Sequence, residues 1–280
     1  MKKINSFSFQ GINGAYSELA GKNIFPNANG ISCPTFEQMF QEVRDFNADV
    51  AVVPIENSQA GRVADTQRLI PDSQLKIISE YFLNINHNLL AIPGTKISDI
   101  KRVHSHAQGI AQCRKKIIEL NKDMIVSADT AGAAKKVSEI QSHEDAAIAS
   151  ELTSKIYNLE ILISNFQDSP DNVTRFLIMS NELENIKNTN EEVLTTLVFT
   201  VRSIPASLYK CLGGFASNGV NITKLESYVH SQGFDVAQFY IDFEGHPDHP
   251  SVKLALEEMK FFCTHISILG VYKKSDFRKK

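Results

Sequence analysis

The sequence predicts an α/β domain over its first two-thirds and a smaller α+β module of ferredoxin-like order behind it. Three observations carry this. Short apolar runs alternate with helix-period stretches through the first two-thirds of the chain. A polar, acidic stretch at 181–192 (NELENIKNTNEE) then interrupts the alternation and reads as a connector or exposed hairpin. Beyond it the apolar pattern changes to the order β-α-β-β-α-β.

Each element has its own reason. Strands are predicted at 7–10, 50–55, 89–92, 101–104, 124–126, 146–149 and 175–179, where β-branched and aromatic residues make short apolar runs. Amphipathic stretches such as 111–119 and 131–137 lie between them and predict helices on the sheet faces. In the second part, 194–201 is predicted as a strand, 207–217 as a helix, 221–226 and 237–243 as strands, 251–261 as a helix and 266–271 as a strand. Asn218-Gly219 marks the stop of the first of these helices, and Gly245 with Pro247 and Pro250 sets the turn before the second.

Composition narrows the function classes. At 280 residues two domains are expected, and 42% hydrophobic with 22% charged residues describe an ordinary globular chain. A net charge of −3 and a pI near 6.3 leave no electrostatic footprint for nucleic acid. The basic C-terminus (Lys273, Lys274, Arg278, Lys279, Lys280) reads as a solvated tail. No run of about eighteen apolar residues predicts a membrane span. The start, MKKINSFSFQ, lacks the apolar segment of a signal peptide, so a cytoplasmic protein is expected. Cys33, Cys113, Cys211 and Cys263 are far apart without CxxC spacing, as reduced, buried thiols would be. His104 and His106 have no neighbouring carboxylate cluster, and neither metal nor cofactor is implied.

Polar clusters recur where an apolar strand ends, the edge at which open α/β sheets bind ligands. Residues 7–10 run into a Gly11-Ile12-Asn13-Gly14 turn; its spacing is not that of a dinucleotide fingerprint, and alone it reads as a plain turn more readily than as a ligand loop. Residues 50–55 deliver Glu56-Asn57-Ser58. Residues 101–104 deliver Ser105, read as an N-cap, with Gln108 and Gln112 four apart on one helix face. Asp129-Thr130 is again poised as a helix start. Together these clusters suggest a cleft that holds a small anion through dipoles. In Thr174-Arg175-Phe176 an extended backbone puts Thr174 and Phe176 on one face and Arg175 on the other. Alone, that tripeptide reads as the entry to a core strand.

In order along the chain, FQGINGAYSE (9–18), DVAVVPIENSQAGRV (49–63), VHSHAQGIAQC (103–113), DTAGAA (129–134) and DNVTRFLI (171–178) resemble the conserved blocks of the prephenate dehydratase family. The resemblance spans nearly the whole chain. It implies a two-lobed catalytic domain like type II periplasmic binding proteins over residues 1–182, with lobe 1 about 1–80 and 174–182 and lobe 2 about 81–165, followed by an ACT regulatory domain at 194–272. The implied activity is the decarboxylating dehydration of prephenate to phenylpyruvate without cofactor or metal. Thr174 matches the leading catalytic residue, a hydrogen-bond donor to the departing hydroxyl. Arg175 and Phe176 complete the catalytic tripeptide, Phe176 against the ring or behind Thr174. Arg175 either meets the pyruvyl carboxylate or braces the lobe from behind. Asn57, Ser58, Ser105 and Gln112 match substrate-binding positions, and Thr130 with Ala131 lies in the anion-contacting turn.

The ACT region departs further from the family. Where phenylalanine-binding members carry Gly-Ala-Leu and Glu-Ser-Arg-Pro, this chain has Ala206-Ser207-Leu208 and Glu226-Ser227-Tyr228-Val229. Leu208, Asn221, Glu226 and Ser227 keep the effector positions. Phenylalanine regulation and a homotetramer or homodimer are therefore expectations of the resemblance. Arogenate dehydratase is the nearest alternative activity, and a non-catalytic amino-acid or keto-acid binding protein is the alternative of a different class.

Overall fold

The apolar runs become strands because each is buried on a sheet face, and the computed structural model describes them within residues 3–182, 192–229 and 237–279. Most of the 181–192 connector lies outside the described residues. The chain opens with β1 (Ser6–Gln10), α1 (Tyr16–Ile24), β2 (Asn29–Cys33), α2 (Phe36–Arg44), β3 (Val50–Asn57), β4 (Gly61–Arg62) and α3 (Ala64–Leu69). It continues through β5 (Lys76–Asn84), β6 (Asn88–Ala91), β7 (Arg102–His106), α4 (Ala107–Gln112), α5 (Arg114–Glu119), β8 (Asp123–Ser127) and α6 (Thr130–Ile140). Then come β9 (Asp145–Ala149), α7 (Glu151–Ile156), β10 (Glu160–Ile163) and β11 (Val173–Ser180). The last part is β12 (Val193–Val201), α8 (Ser207–Ser217), β13 (Ile222–Val229), β14 (Ala237–Glu244), α9 (Pro250–Lys260) and β15 (Cys263–Lys273).

Two compact units emerge. The larger gathers Lys3–Val63 and Tyr81–Phe176; the other gathers Ala64–Glu80 and the chain from Leu177 onward. Residues 64–80 group with the C-terminal part, where Ile77 pairs with Gly270 and the Glu80 carboxylate takes the Arg278 guanidinium at 2.7 Å.

The larger unit holds two sheets, hence two lobes. In one, β1 lies parallel between β2 and β3, and the first residues of β11 flank β3. Its interior strand β3 is almost wholly buried, which explains the unbroken apolar run 50–55. Helix α1 packs tightly here: a Cβ built on Gly21 would lie 2.2 Å from the Phe7 ring. In the other, the order is β10-β6-β9-β7-β8, with β7 parallel to β8 and β9. At the start of its middle strands, Asp145 accepts from Arg102 at 2.7 and 2.8 Å and lies 2.7 Å from His104 Nε2. The Arg102 bond, ahead of the His104 contact, holds the Asp145 carboxyl well below its ordinary range.

The smaller unit has the predicted β-α-β-β-α-β order, with strands β13-β14-β12-β15 extended by β5. Phe199, Phe215, Phe243, Val252 and Met259 form its core between sheet and helices. Close approach of β15 to β5 requires Gly270, since a Cβ there would meet the Ile77 carbonyl oxygen at 2.2 Å. Among the described residues no helix is long and apolar enough to cross a membrane.

Two expectations are corrected. The helix predicted at 111–119 is two helices broken at Cys113 (φ −117°, ψ 11°), because Asp168 accepts the N–H groups of Lys115 and Lys116 and starts a new helix. Ser105 is not an N-cap: β7 runs on through it, and His106 caps α4 by accepting from the Gln108 N–H.

Candidate active site

All the catalytic and substrate-binding candidates lie in the larger unit, and two of them, Asn57 and Gln112, are joined by one side chain that sequence reasoning left unassigned. Strand β3 ends in Asn57, and β11 begins beside it: Ser58 N–H donates to the Val173 carbonyl at 2.9 Å, and Val173 N–H donates to Ser58 Oγ at 3.0 Å. The Ser58 hydroxyl in turn donates to the Asp171 carbonyl. Both faces of the strand pair are then decided by alternation. Asn57 and Thr174 share one face, and Asn57 Nδ2 donates to Thr174 Oγ1 at 2.9 Å. Glu56 and Arg175 share the other and form an ion pair at 3.2 Å.

The missing piece is Asn172. Asn57 Nδ2 donates to its Oδ1 at 2.7 Å, and its own Nδ2 donates to Gln112 Oε1 at 2.9 Å. Gln112 stands at the end of α4, in the second lobe, so the α4/α5 break at Cys113 places it where it reaches Asn172. Beyond Gln112 the chain of contacts continues to His87 Nε2 at 2.7 Å, and from His87 Nδ1 to the Tyr16 hydroxyl at 2.8 Å. The Tyr16 ring meets the His87 ring edge-on. Burial pushes the Tyr16 phenol well above its usual value, with Cys113 adding to it, and pushes His87 below its usual value against the opposing Gln112 bond. Both are therefore neutral near pH 7.

Other candidates are placed nearby or elsewhere. Phe176 is buried, two residues on from Thr174 and so on the same face of β11. Arg175 is only 1% exposed and lies on the face away from Thr174, paired with Glu56. Ser105 is fully buried and donates to the Ile148 carbonyl at 2.8 Å. It shares with Thr130 the space beside Gly109 on α4: a Cβ built there would lie 2.6 Å from Ser105 Oγ and 3.5 Å from Thr130 Cγ2. Asp129 caps α6 as predicted, accepting from the Gly132 N–H at 2.6 Å. Ala131 is wholly buried, leaving its backbone as the only group it can offer.

The loop 11–18 ties the two lobes of this unit. Gly14, at φ +95°, lets its carbonyl take the Ser150 hydroxyl at 2.7 Å, and Asn13 O accepts from Tyr157 at 2.7 Å. A cavity of about 590 Å³ opens beside Asn86, Asn88, Asn23 and Lys155, and none of the predicted residues lines it. In the smaller unit the effector candidates each have partners of their own. Asn221 donates to Glu244 at 3.2 Å, Glu226 pairs with Lys224 at 3.4 Å, Ser227 lies opposite Phe239 on β14, and Leu208 packs on the core.

Sequence reasoning missed Asn172, His87 and Tyr16 as site residues. Asn172 had a usable signal, since it lies two residues before Thr174 and so on the same face of an extended chain. Tyr16 sits within the first resembling block. His87 belongs to no motif, and only the fold brings it to Gln112.

Known proteins agree with this geometry. A family model described as prephenate dehydratase matches residues 7–184. A bifunctional N-acyl-homoserine lactone acylase/prephenate dehydratase of Komagataeibacter europaeus is 44% identical, over 98% of this chain and 97% of its own. Arogenate dehydratase/prephenate dehydratase 2 of Arabidopsis thaliana is 38% identical over 95% of this chain and 72% of its own. The solved prephenate dehydratase of Arthrobacter aurescens in complex with L-Phe superposes with a TM-score of 0.87 at 32% identity, covering 97% of this chain and 90% of that one. With the family model running through both lobes and relatives 44% and 38% identical over nearly the whole chain, this chain belongs to the prephenate dehydratase family.

Proposed function

We propose that the chain acts as a carbon–oxygen lyase that converts prephenate to phenylpyruvate, carbon dioxide and water, in phenylalanine biosynthesis. The observation that carries this reading is the Thr174 hydroxyl oxygen held by Asn57 at 2.9 Å, in the block that matches the family. The reaction asks little of the protein. The bond to the ring carboxylate breaks and leaves as carbon dioxide, its electron pair enters the ring, and the ring hydroxyl departs with one proton as water. Aromatisation drives it. Orientation contributes up to about 7–11 kcal/mol, and a placed proton donor about 10²–10⁴-fold.

In this reading Thr174 donates to the leaving hydroxyl, Phe176 supports it, and Asn57, Ser58, Ser105, Gln112, Thr130 and Ala131 shape the substrate site. Arg175 acts through Glu56 and the strand pair. A cation on the leaving carboxylate would hold a charge that must disperse in the transition state, so a brace suits Arg175 better than that contact. The test is product absorbance of phenylpyruvate from the purified chain given prephenate, with arogenate as the second substrate. Turnover of arogenate alone would give the chain only the arogenate dehydratase half of the Arabidopsis relative's name and would overturn the prephenate reading. Neither substrate turned over would overturn the reading.

A second activity is favoured by one observation. The Komagataeibacter relative, 44% identical over nearly both full lengths, is named also for N-acyl-homoserine lactone acylase activity. Release of a primary amine from an N-acyl-homoserine lactone, followed with an amine-reactive dye, tests whether this chain shares it.

The domain reading is a catalytic domain at 1–182 and an ACT regulatory domain at 194–272, binding phenylalanine through Leu208, Asn221, Glu226 and Ser227 in a homotetramer or homodimer. The L-Phe bound by the Arthrobacter relative supports the effector. Titration calorimetry with phenylalanine and light scattering of the purified chain test both points.

A further inference from the structure

The hydrogen-bond chain from Thr174 to Tyr16 has a direction, and the backbone sets it. Asn57 Oδ1 accepts from two main-chain N–H groups, Gln59 at 3.0 Å and Ala60 at 2.8 Å. Main-chain N–H groups only donate, so the Asn57 amide cannot be turned round. Its Nδ2 therefore faces both Thr174 Oγ1 and Asn172 Oδ1. Asn172 must then offer Nδ2 to Gln112, and Gln112 must offer Oε1 to both Asn172 and His87. An oxygen at 2.7 Å from His87 Nε2 requires a proton on that nitrogen. A neutral imidazole carries one N–H, so Nδ1 is left as an acceptor, and the Tyr16 hydroxyl faces it at 2.8 Å.

We propose that His87 and Tyr16 are positioning residues that close this chain at its far end in the direction the backbone sets, so that none of its bonds is lost and Asn57 holds Thr174 with its hydroxyl proton free for the leaving hydroxyl of the substrate. The inference rests on the dehydration reading. Tyr16 has two acceptors in reach, Nδ1 and the Asn86 carbonyl at 2.9 Å. Donating to Nδ1 fixes the Nε2–H tautomer. With the other tautomer, the Nε2 lone pair would face the Gln112 oxygen. Turning Gln112 to relieve this would set its NH₂ against the NH₂ of Asn172, and the conflict would travel to Asn57, which cannot turn. One bond of the chain would be lost. At the far end, Thr174 Oγ1 receives its hydrogen bond from Asn57, and among the described residues no protein acceptor takes the Thr174 proton. Burial of His87, which favours the neutral ring, agrees with this arrangement.

The test combines kinetics with a direct reading of the tautomer. In histidine-labelled wild-type protein near neutral pH, the imidazole ¹⁵N resonances should show His87 as Nε2–H; Nδ1–H or imidazolium would overturn the proposal. His87→Leu should lower kcat for prephenate by about 100-fold with KM little changed. His87→Gln, whose side-chain N–H falls near the Nε2 position, should restore most of it. Tyr16→Phe should shift the tautomer balance toward Nδ1–H and lower kcat. Wild-type kcat in a folded His87→Leu would overturn the proposal. If His87→Leu does not fold, the tautomer in wild type and in Tyr16→Phe decides. A wild-type protein that leaves prephenate untouched would overturn the dehydration reading instead, and the resonances would still decide the direction of the chain.

Discussion

Thr174 carries the sharpest prediction at the scale of single residues. Thr174→Ala should cut kcat by about 10²–10⁴-fold while leaving KM nearly unchanged, because the donor acts on the leaving group rather than on binding. Thr174→Ser, which keeps the hydroxyl, should retain much of the activity; steady-state kinetics on prephenate checks both. Beside it, Arg175 is nearly inaccessible and pairs with Glu56 across the strands. Glu56→Gln leaves a buried guanidinium without that carboxylate and should destabilise the larger unit by about 3 kcal/mol, measured by chemical unfolding. In the smaller unit, Ala206 takes the place of the family's glycine yet adopts φ +61°, a left-handed backbone that an alanine side chain opposes. Ala206→Gly should therefore stabilise by about 1 kcal/mol, read as a raised Tm. Thr174 and Arg175 were legible as opposite faces of one strand. Asn172 followed from the same alternation rule but needed its partners to be known before it became a site residue.

Elements were legible where their own residues bury them. The apolar runs at β1, β3, β7, β8, β9 and β11 needed no partner to be recognised, and α8 matches its predicted span, 207–217. Four strands were not foreseen, and each owes its existence to a neighbour; the two-residue β4 simply pairs with the end of β3. β2 (NGISC) has Asn and Gly at its start and forms by pairing with β1 in register Ser6↔Asn29. β5 lacks a clean alternation of buried and exposed residues, and β10 is a four-residue edge strand. The α4/α5 break is of the same kind, since Asp168, far along the chain, ends one helix and starts the next. Packing between α1 and β1 yields a test at this scale. Gly21→Ala would drive a methyl to 2.2 Å from the Phe7 ring, and should cost about 1–3 kcal/mol as α1 shifts off the sheet. Unfolding midpoints of the variant would show it.

Charge acts on the molecule as a whole through its dependence on pH. Asp145 has its carboxyl held below the ordinary value of 3.8, chiefly by Arg102. A lowered folded value means that the unfolded chain binds more protons in the window below 3.8, so this stability is present above that pH and lost as the pH falls further. Acid unfolding followed by circular dichroism should therefore begin at higher pH in Asp145→Asn, and its remaining pH dependence should be shallower. The sequence by itself determined the α/β class, the β-α-β-β-α-β order of the second part, the five family blocks and the identity of Thr174 as the residue to test. These depend on local periodicity and on residue types in fixed order. Only the tertiary structure decided that 64–80 groups with the C-terminal part, that Ser105 is a buried strand residue, that Arg175 pairs with Glu56, and that Asn172, Gln112, His87 and Tyr16 form one hydrogen-bonded chain leading to Thr174 through Asn57. The physical reason is that a hydrogen bond needs two atoms within about 3 Å, and positions 57, 87, 112 and 172 reach that distance only after two sheets have folded.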